Sequence, residues 1–174
     1  MTDRVNAELE TPRSFDATWF VTRGAAAAWI FINDVQGAQS DAESAVSDGD
    51  WGTCVEASLD ALRSVLHCEL VLDGYRGSCV DGEIDLHATY LDSPTARALR
   101  DLPHGHLADE TTARQCLAAV TRATGQLEDR LPLHIPVVRT AEGFFPSVRM
   151  AGDIERLRTK LGFEPMDWNS WSAF

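Results

Sequence analysis

A long stripe of small and apolar residues runs through the early part of the chain at helical spacing. Its members recur at every third or fourth position: Phe20, Gly24, Ala27, Phe31, Val35, Ala38, Ala42 and Ala45. This spacing places the side chains on one face of an α-helix. Because most of them are small, a neighbouring helix can approach closely. The stripe predicts a long amphipathic helix that packs against a second helix.

A second stripe follows after a short break in the pattern. Asp50 is suited to cap a new helix, and Gly74 is suited to end it. The main apolar positions between them are Trp51, Val55, Leu59, Leu62, Leu66 and Leu70. Because only Asp48-Gly49-Asp50 separates the two stripes, the sequence predicts a helical hairpin.

Further helices are predicted downstream of the hairpin. Ser93-Pro94 is a helix start with proline at the first helical position, and Pro103 ends that helix. Apolar residues that alternate four and three positions apart predict another helix over about 109–131. The stretch 83–91 is ambiguous, because its pattern fits either a short helix or an extended piece.

These elements predict an all-α fold in three parts. Residues 1–13 form a flexible acidic tail. Residues 14–131 form an antiparallel bundle of four to five helices, built on the N-terminal helical hairpin. Residues 132–174 form an irregular C-terminal extension, in which we expect an extended connector over 133–138, a final helix over 148–161 and an aromatic tail. No pair of alternating strands is evident.

The charge balance limits the classes of partner. The chain has 27 acidic and 15 basic side chains, for a net charge of −12. General nucleic-acid binding needs a basic surface, so only a local site near Arg100 is open to it. No apolar run approaches the roughly 18–20 residues that span a bilayer, and the N-terminus has no apolar signal segment. We expect a cytoplasmic protein with no membrane partner.

Four polar residues of the second predicted helix share one face: Glu56, Asp60, Arg63 and His67. Two carboxylates and a histidine could ligate a metal ion, with Arg63 attracting an anion. The alternative is a solvated face with local ion pairs. The paired Glu-x-x-His motifs of di-iron bundles are missing, and the four cysteines are too widely spaced for zinc. We favour the solvated face and expect no metal ion and no cofactor.

A histidine-rich loop precedes the helix at 109–131. Its residues are Arg100-Asp101, then His104 and His106. A His-x-His pair could bind a metal ion if a third ligand were nearby. An arginine beside a histidine could instead support acid–base or phosphate chemistry.

Together with the hairpin, this loop resembles the HEPN superfamily of small helical bundles over residues 17–131. Ribonucleases of that family carry an Arg, usually followed by Asn or Asp, and then a His ahead of the last bundle helix. The resemblance implies a metal-independent endoribonuclease in which His106 transfers a proton at the 2′-hydroxyl and Arg100 stabilises the phosphorane charge. It also allows a non-catalytic member that binds nucleotides or partner proteins.

The C-terminal tail is rich in aromatic residues, including Trp168, Trp171 and Phe174. Large rings left in water are unfavourable, so the tail either folds back on the bundle or docks on another molecule. We favour an accessory binding protein that associates with a protein partner or with a second copy of itself. The endoribonuclease that uses Arg100 and His106 is the alternative.

Overall fold

A computed structural model describes residues 20–74, 81–103, 108–131, 138–140, 143–145, 151–160 and 162–165. The α-helices are α1 (Ala25–Ile30), α2 (Gln36–Asp48), α3 (Trp51–Leu72), α4 (Asp81–Tyr90), α5 (Pro94–Asp101), α6 (Glu110–Glu128) and α7 (Ala151–Lys160). Two π-helical segments, Phe20–Gly24 and Phe31–Val35, flank α1. The strands β1 (Val138–Thr140) and β2 (Gly143–Phe145) pair in an antiparallel ladder. The predicted all-α fold is confirmed.

The N-terminal part of the bundle is one continuous helical rod from Phe20 to Asp48. The backbone stays in the right-handed helical region at each junction between its α-helical and π-helical segments. At the third junction, between the second π-helical segment and α2, the amide of Gln36 donates to the carbonyl of Phe31, five residues back, as a π-helix requires. Within the described side chains, the predicted stripe is buried or partly buried along the whole rod.

Helix α3 lies at the centre of the bundle. It packs against α1, α2, α4, α5, α6 and both π-helical segments. Because neighbours surround it, α3 buries residues on nearly all sides, including the polar Ser58, Ser64 and His67. Its thiols Cys54 and Cys68 are reduced and buried, as is Cys116 of α6; Cys79 lies outside the described residues.

Local signals in the sequence set the predicted helix boundaries. Gly49 adopts a left-handed conformation (φ 73°) that ends α2. The Asp50 carboxylate accepts a hydrogen bond from the Thr53 amide at 3.1 Å and starts α3. The Ser93 hydroxyl accepts from the Ala96 amide at 3.1 Å and starts α5. Each cap satisfies backbone donors that the first helical turn leaves unpaired.

The structure decides one ambiguity of the sequence and adds one element that the sequence does not indicate. The ambiguous stretch 83–91 forms most of α4. The C-terminal extension contains the β1–β2 hairpin, which the sequence pattern does not indicate. Strands of three residues are too short to show an alternating pattern in the sequence. Among the described helices, none combines the length and apolar character needed to cross a bilayer.

Two glycines provide a matched test of backbone conformation. We expect Gly49→Ala to lower the free energy of unfolding by about 1 kcal/mol, because alanine is strained at this positive φ. Gly37→Ala should raise it by about 0.5–1 kcal/mol, because Gly37 lies inside α2 with open space for a methyl group. Urea unfolding of both variants measures the difference. Shifts of the same sign would contradict this account.

Candidate functional site

Helix α4 has apolar side chains on two opposite faces. Ile84 and Ala88 point into the bundle and are buried. Leu86 is 56 % exposed and Tyr90 is 80 % exposed. At about 100° per residue, Leu86 lies opposite the midpoint between the two buried residues. Leu86 and Tyr90 are one turn apart and form a shared apolar surface, which we call the Leu86–Tyr90 face.

This surface arises from an alternating pattern folded as a helix. From Ile84 to Tyr90 every second residue is apolar, and the residues between them are polar. A strand would place all four apolar residues on one side. A helix rotates by about 200° over two residues, so it divides them between an inner and an outer face. The Leu86–Tyr90 face is the outer, exposed one of these two faces.

Two arginines hold α4 in place beneath this face. The Arg100 guanidinium of α5 donates through Nη1 to the carbonyl oxygens of Ala88 and Leu91, at the C-terminal end of α4. The Arg63 guanidinium of α3 donates through Nε and Nη2 to the two carboxylate oxygens of Asp85, at 3.0 and 3.2 Å. A cation at a helix C-terminus is favourable, and the paired bonds to Asp85 fix orientation. The face is therefore presented on an anchored helix.

A second polar cluster joins α3 to α5. The half-buried Glu69 carboxylate accepts hydrogen bonds from the Ser93 hydroxyl at 3.1 Å and the Thr95 hydroxyl at 2.8 Å. Burial raises the pKa of Glu69, and the two hydroxyl donors partly oppose that shift. Because Ser93 also caps α5, Glu69 fixes the position of this short helix on the bundle. We assign the cluster a structural role.

A third polar group lies in the second π-helical segment. The Oδ2 atom of Asp34 is buried and accepts no hydrogen bond from the described residues. Burial raises the pKa of this carboxyl group. Its charge also helps to raise the pKa of the fully buried Cys68 thiol, for which desolvation is the larger cause. A thiol in this environment is protonated and unreactive, so the pair does not form a nucleophilic site.

The predicted polar face of α3 is only partly solvated. Glu56 and Asp60 are exposed, and Arg63 forms ion pairs with Asp60 and Asp85. His67 is fully buried, so the prediction of a solvated face is wrong at this residue. Desolvation lowers its pKa to about 4, which keeps the imidazole neutral. In the part of the chain that the structure describes, no three His, Cys, Asp or Glu side chains are grouped to hold a metal ion.

Of the two catalytic residues that the HEPN resemblance implies, Arg100 and His106, the structure describes only Arg100. Arg100 is exposed at the end of α5, and its Nη1 is committed to the two carbonyl oxygens of the α4 end. His104 and His106 lie outside the described residues, as do Trp168, Trp171 and Phe174 of the predicted partner-binding tail. The catalytic and tail assignments therefore stay predictions.

Sequence reasoning missed the Leu86–Tyr90 face and the Glu69 cluster. The signal for the face was present as the alternation from Ile84 to Tyr90, which gives exposed apolar residues once the segment is known to be helical. Glu69 lies inside an apolar stretch of α3 and pairs with residues 24 and 26 positions later. A contact between residues so far apart in the sequence leaves no pattern among neighbouring residues.

Comparison of the chain with protein-family models, with curated proteins and with solved structures found no match.

Proposed function

We propose that this protein is a helical-bundle binding module that associates with a partner protein through the Leu86–Tyr90 face. The observation that carries the proposal is the exposure of two large apolar side chains, one turn apart, on a helix anchored from below. We also propose a cytoplasmic location, from the sequence prediction.

The energetics favour contact of this face with another molecule. Burial of a large apolar side chain is favourable by roughly 1.5–3 kcal/mol relative to leaving it in water. Tyrosine is enriched among the residues that dominate binding energies, because its ring gives a large contact area and its hydroxyl can still reach water. An anchored helix loses little conformational entropy on binding. Single exposed apolar residues are common in proteins, but a pair on one face is a candidate anchor.

The endoribonuclease hypothesis has less support from the described residues. The Nη1 atom of Arg100 donates hydrogen bonds to the carbonyl oxygens at the end of α4, which is a structural use of this residue. The chain also carries a strong negative charge, which opposes binding of a polyanion. The hypothesis stays the alternative, and the binding module is the function that the geometry supports best.

The binding function is tested with a double variant, Leu86→Gln with Tyr90→Gln. Both replacements are neutral and compatible with a helix, so they remove apolar surface without adding charge. We expect the partner recovered by the tagged variant from the native host to fall by at least about tenfold, which corresponds to about 1.4 kcal/mol. Quantitative mass spectrometry of the recovered proteins measures this fall.

The matched control is Ile32→Gln. Ile32 is 48 % exposed on the N-terminal rod, away from α4. The control should recover the partner as the unaltered protein does. Equal recovery by the double variant and the control, with unchanged circular dichroism, would refute the role of the face.

A further inference from the structure

We infer that the Leu86–Tyr90 face binds a basic amphipathic helix of the partner protein, with its apolar side on Leu86 and Tyr90 and its Lys and Arg side chains on the surrounding carboxylates. The inference rests on the proposed function, because it names the chemistry of the partner for the same surface.

The first argument is the charge of the segment that carries the face. From Asp81 to Asp92 the sequence contains four acidic residues and no Lys or Arg. Its formal charge is therefore −4, with histidine counted as neutral. The apolar anchor therefore lies within an acidic stretch of chain.

The second argument is that the arginine nearest the face is already paired with carboxylates. Arg63 lies between two carboxylates, so this group of three keeps a net negative charge. The Arg63 side chain is 17 % exposed, whereas Asp60 is 62 % and Asp85 is 45 % exposed. The acidic members of the group are therefore the ones that face solvent. A cationic side chain of a partner would meet carboxylates here.

The same order of exposure recurs at the other end of α4. Asp92 follows the helix and pairs with Arg97, and the Asp92 side chain is the more exposed of the two, at 87 % against 49 %. Arg100 is turned to the carbonyl oxygens of Ala88 and Leu91. Surface carboxylates of this kind steer a basic partner and fix its register more than they add affinity.

Charge also argues against a second copy of this chain as the occupant. Two copies packed through their Leu86–Tyr90 faces would bring the same acidic segments together. Like charges placed opposite one another across an interface are destabilising, and each copy carries a net charge of −12. A partner with basic residues around an apolar stripe relieves this repulsion.

The spacing of the anchors favours a helical partner. Leu86 and Tyr90 are four residues apart, which is about 6 Å along a helix axis. Apolar residues of a partner helix recur at three and four positions, so one stripe of such a helix matches both anchors. Lys or Arg residues that flank the stripe then lie near Asp85 on one side and Asp92 at the end.

The test is a display selection with random 16-residue peptides on the immobilised full chain. Peptides that bind the Leu86→Gln/Tyr90→Gln variant are removed first. We expect the enriched peptides to be positively charged, with apolar residues at three- and four-residue spacing. Fluorescence anisotropy of one such peptide should show binding at least about tenfold weaker to the variant, and weaker again by about threefold or more when NaCl rises from 50 to 300 mM.

The outcomes separate this inference from the proposed function. Face-dependent peptides that are neutral or acidic would overturn the basic partner and leave the binding module standing. A face-dependent dimer of the chain in analytical ultracentrifugation would replace the basic helix by a second copy. If no peptide and no host protein depends on the face, both proposals are wrong. The Ile32→Gln protein, used as a second target, should bind the selected peptides normally.

Discussion

Phe31→Ala is expected to lower the free energy of unfolding by about 3–5 kcal/mol. Phe31 is fully buried in the second π-helical segment and belongs to the main core, and this segment packs against α3. Removal of the ring leaves a cavity between the rod and the central helix, which closes only in part. Native domains are stable by about 5–15 kcal/mol, so this loss is a large share of the total.

The neighbouring residue provides the control for this substitution. Ile32 is half exposed, so Ile32→Ala should change the free energy of unfolding by less than about 1 kcal/mol. Urea unfolding at pH 7.5 compares the two variants. If Phe31→Ala is unfolded without denaturant, Phe31→Leu gives a smaller measurable loss in the same direction. Equal losses from positions 31 and 32 would contradict the observed burial.

Buried His67 should make the protein less stable as the pH falls below about 6.5. Desolvation lowers the pKa of His67 from its ordinary value of 6.5 to about 4 in the native state. Between these values the unfolded chain binds a proton that the native state does not, so acid favours unfolding. The loss attributable to His67 is about 2 kcal/mol between pH 7.5 and pH 5, at 1.36 kcal/mol per pKa unit.

Other buried groups act in the opposite direction, so the His67 contribution is obtained by difference. The pKa values of Asp34 and Glu69 are raised in the native state, and their protonation therefore favours folding as the pH falls. His67→Leu removes the titrating group and keeps a similar volume. Its urea stability should fall less than that of the unaltered protein over this pH range. A His67→Leu protein with the same pH dependence as the unaltered one would refute the assignment.

The features that sequence predicted well are those set by neighbouring residues. The caps at Asp50 and Ser93 and the stop at Gly49 depend on backbone geometry within one helical turn, so a short motif specifies each of them. The stripe of the N-terminal rod depends mainly on repeated contact with the central helix α3. Both kinds of signal are carried by the local sequence.

The features that sequence missed depend on contacts between distant parts of the chain. His67 follows Arg63 by one turn and has the spacing of a polar face, yet the crowded surroundings of α3 bury it. The segment from Ile84 to Tyr90 has a strand-like alternation, but it forms a helix that is held by Arg63 and Arg100 from other helices of the bundle. Tertiary packing overrides a weak local pattern in both cases.

The π-helical segment Phe31–Val35 has a consequence for how the gene of this protein can change. Each i to i−5 hydrogen bond encloses one residue more than an α-helical turn does. Deletion of a single residue here would let the rod continue as a regular α-helix. Because the π turn already accommodates that extra residue, the residues on either side of the deletion would keep about the same faces of the helix. The alanines of α1 would then still face α3, so loss of one codon at this site is less damaging than loss of one codon from an α-helical part of the rod, which turns everything before it by about 100°.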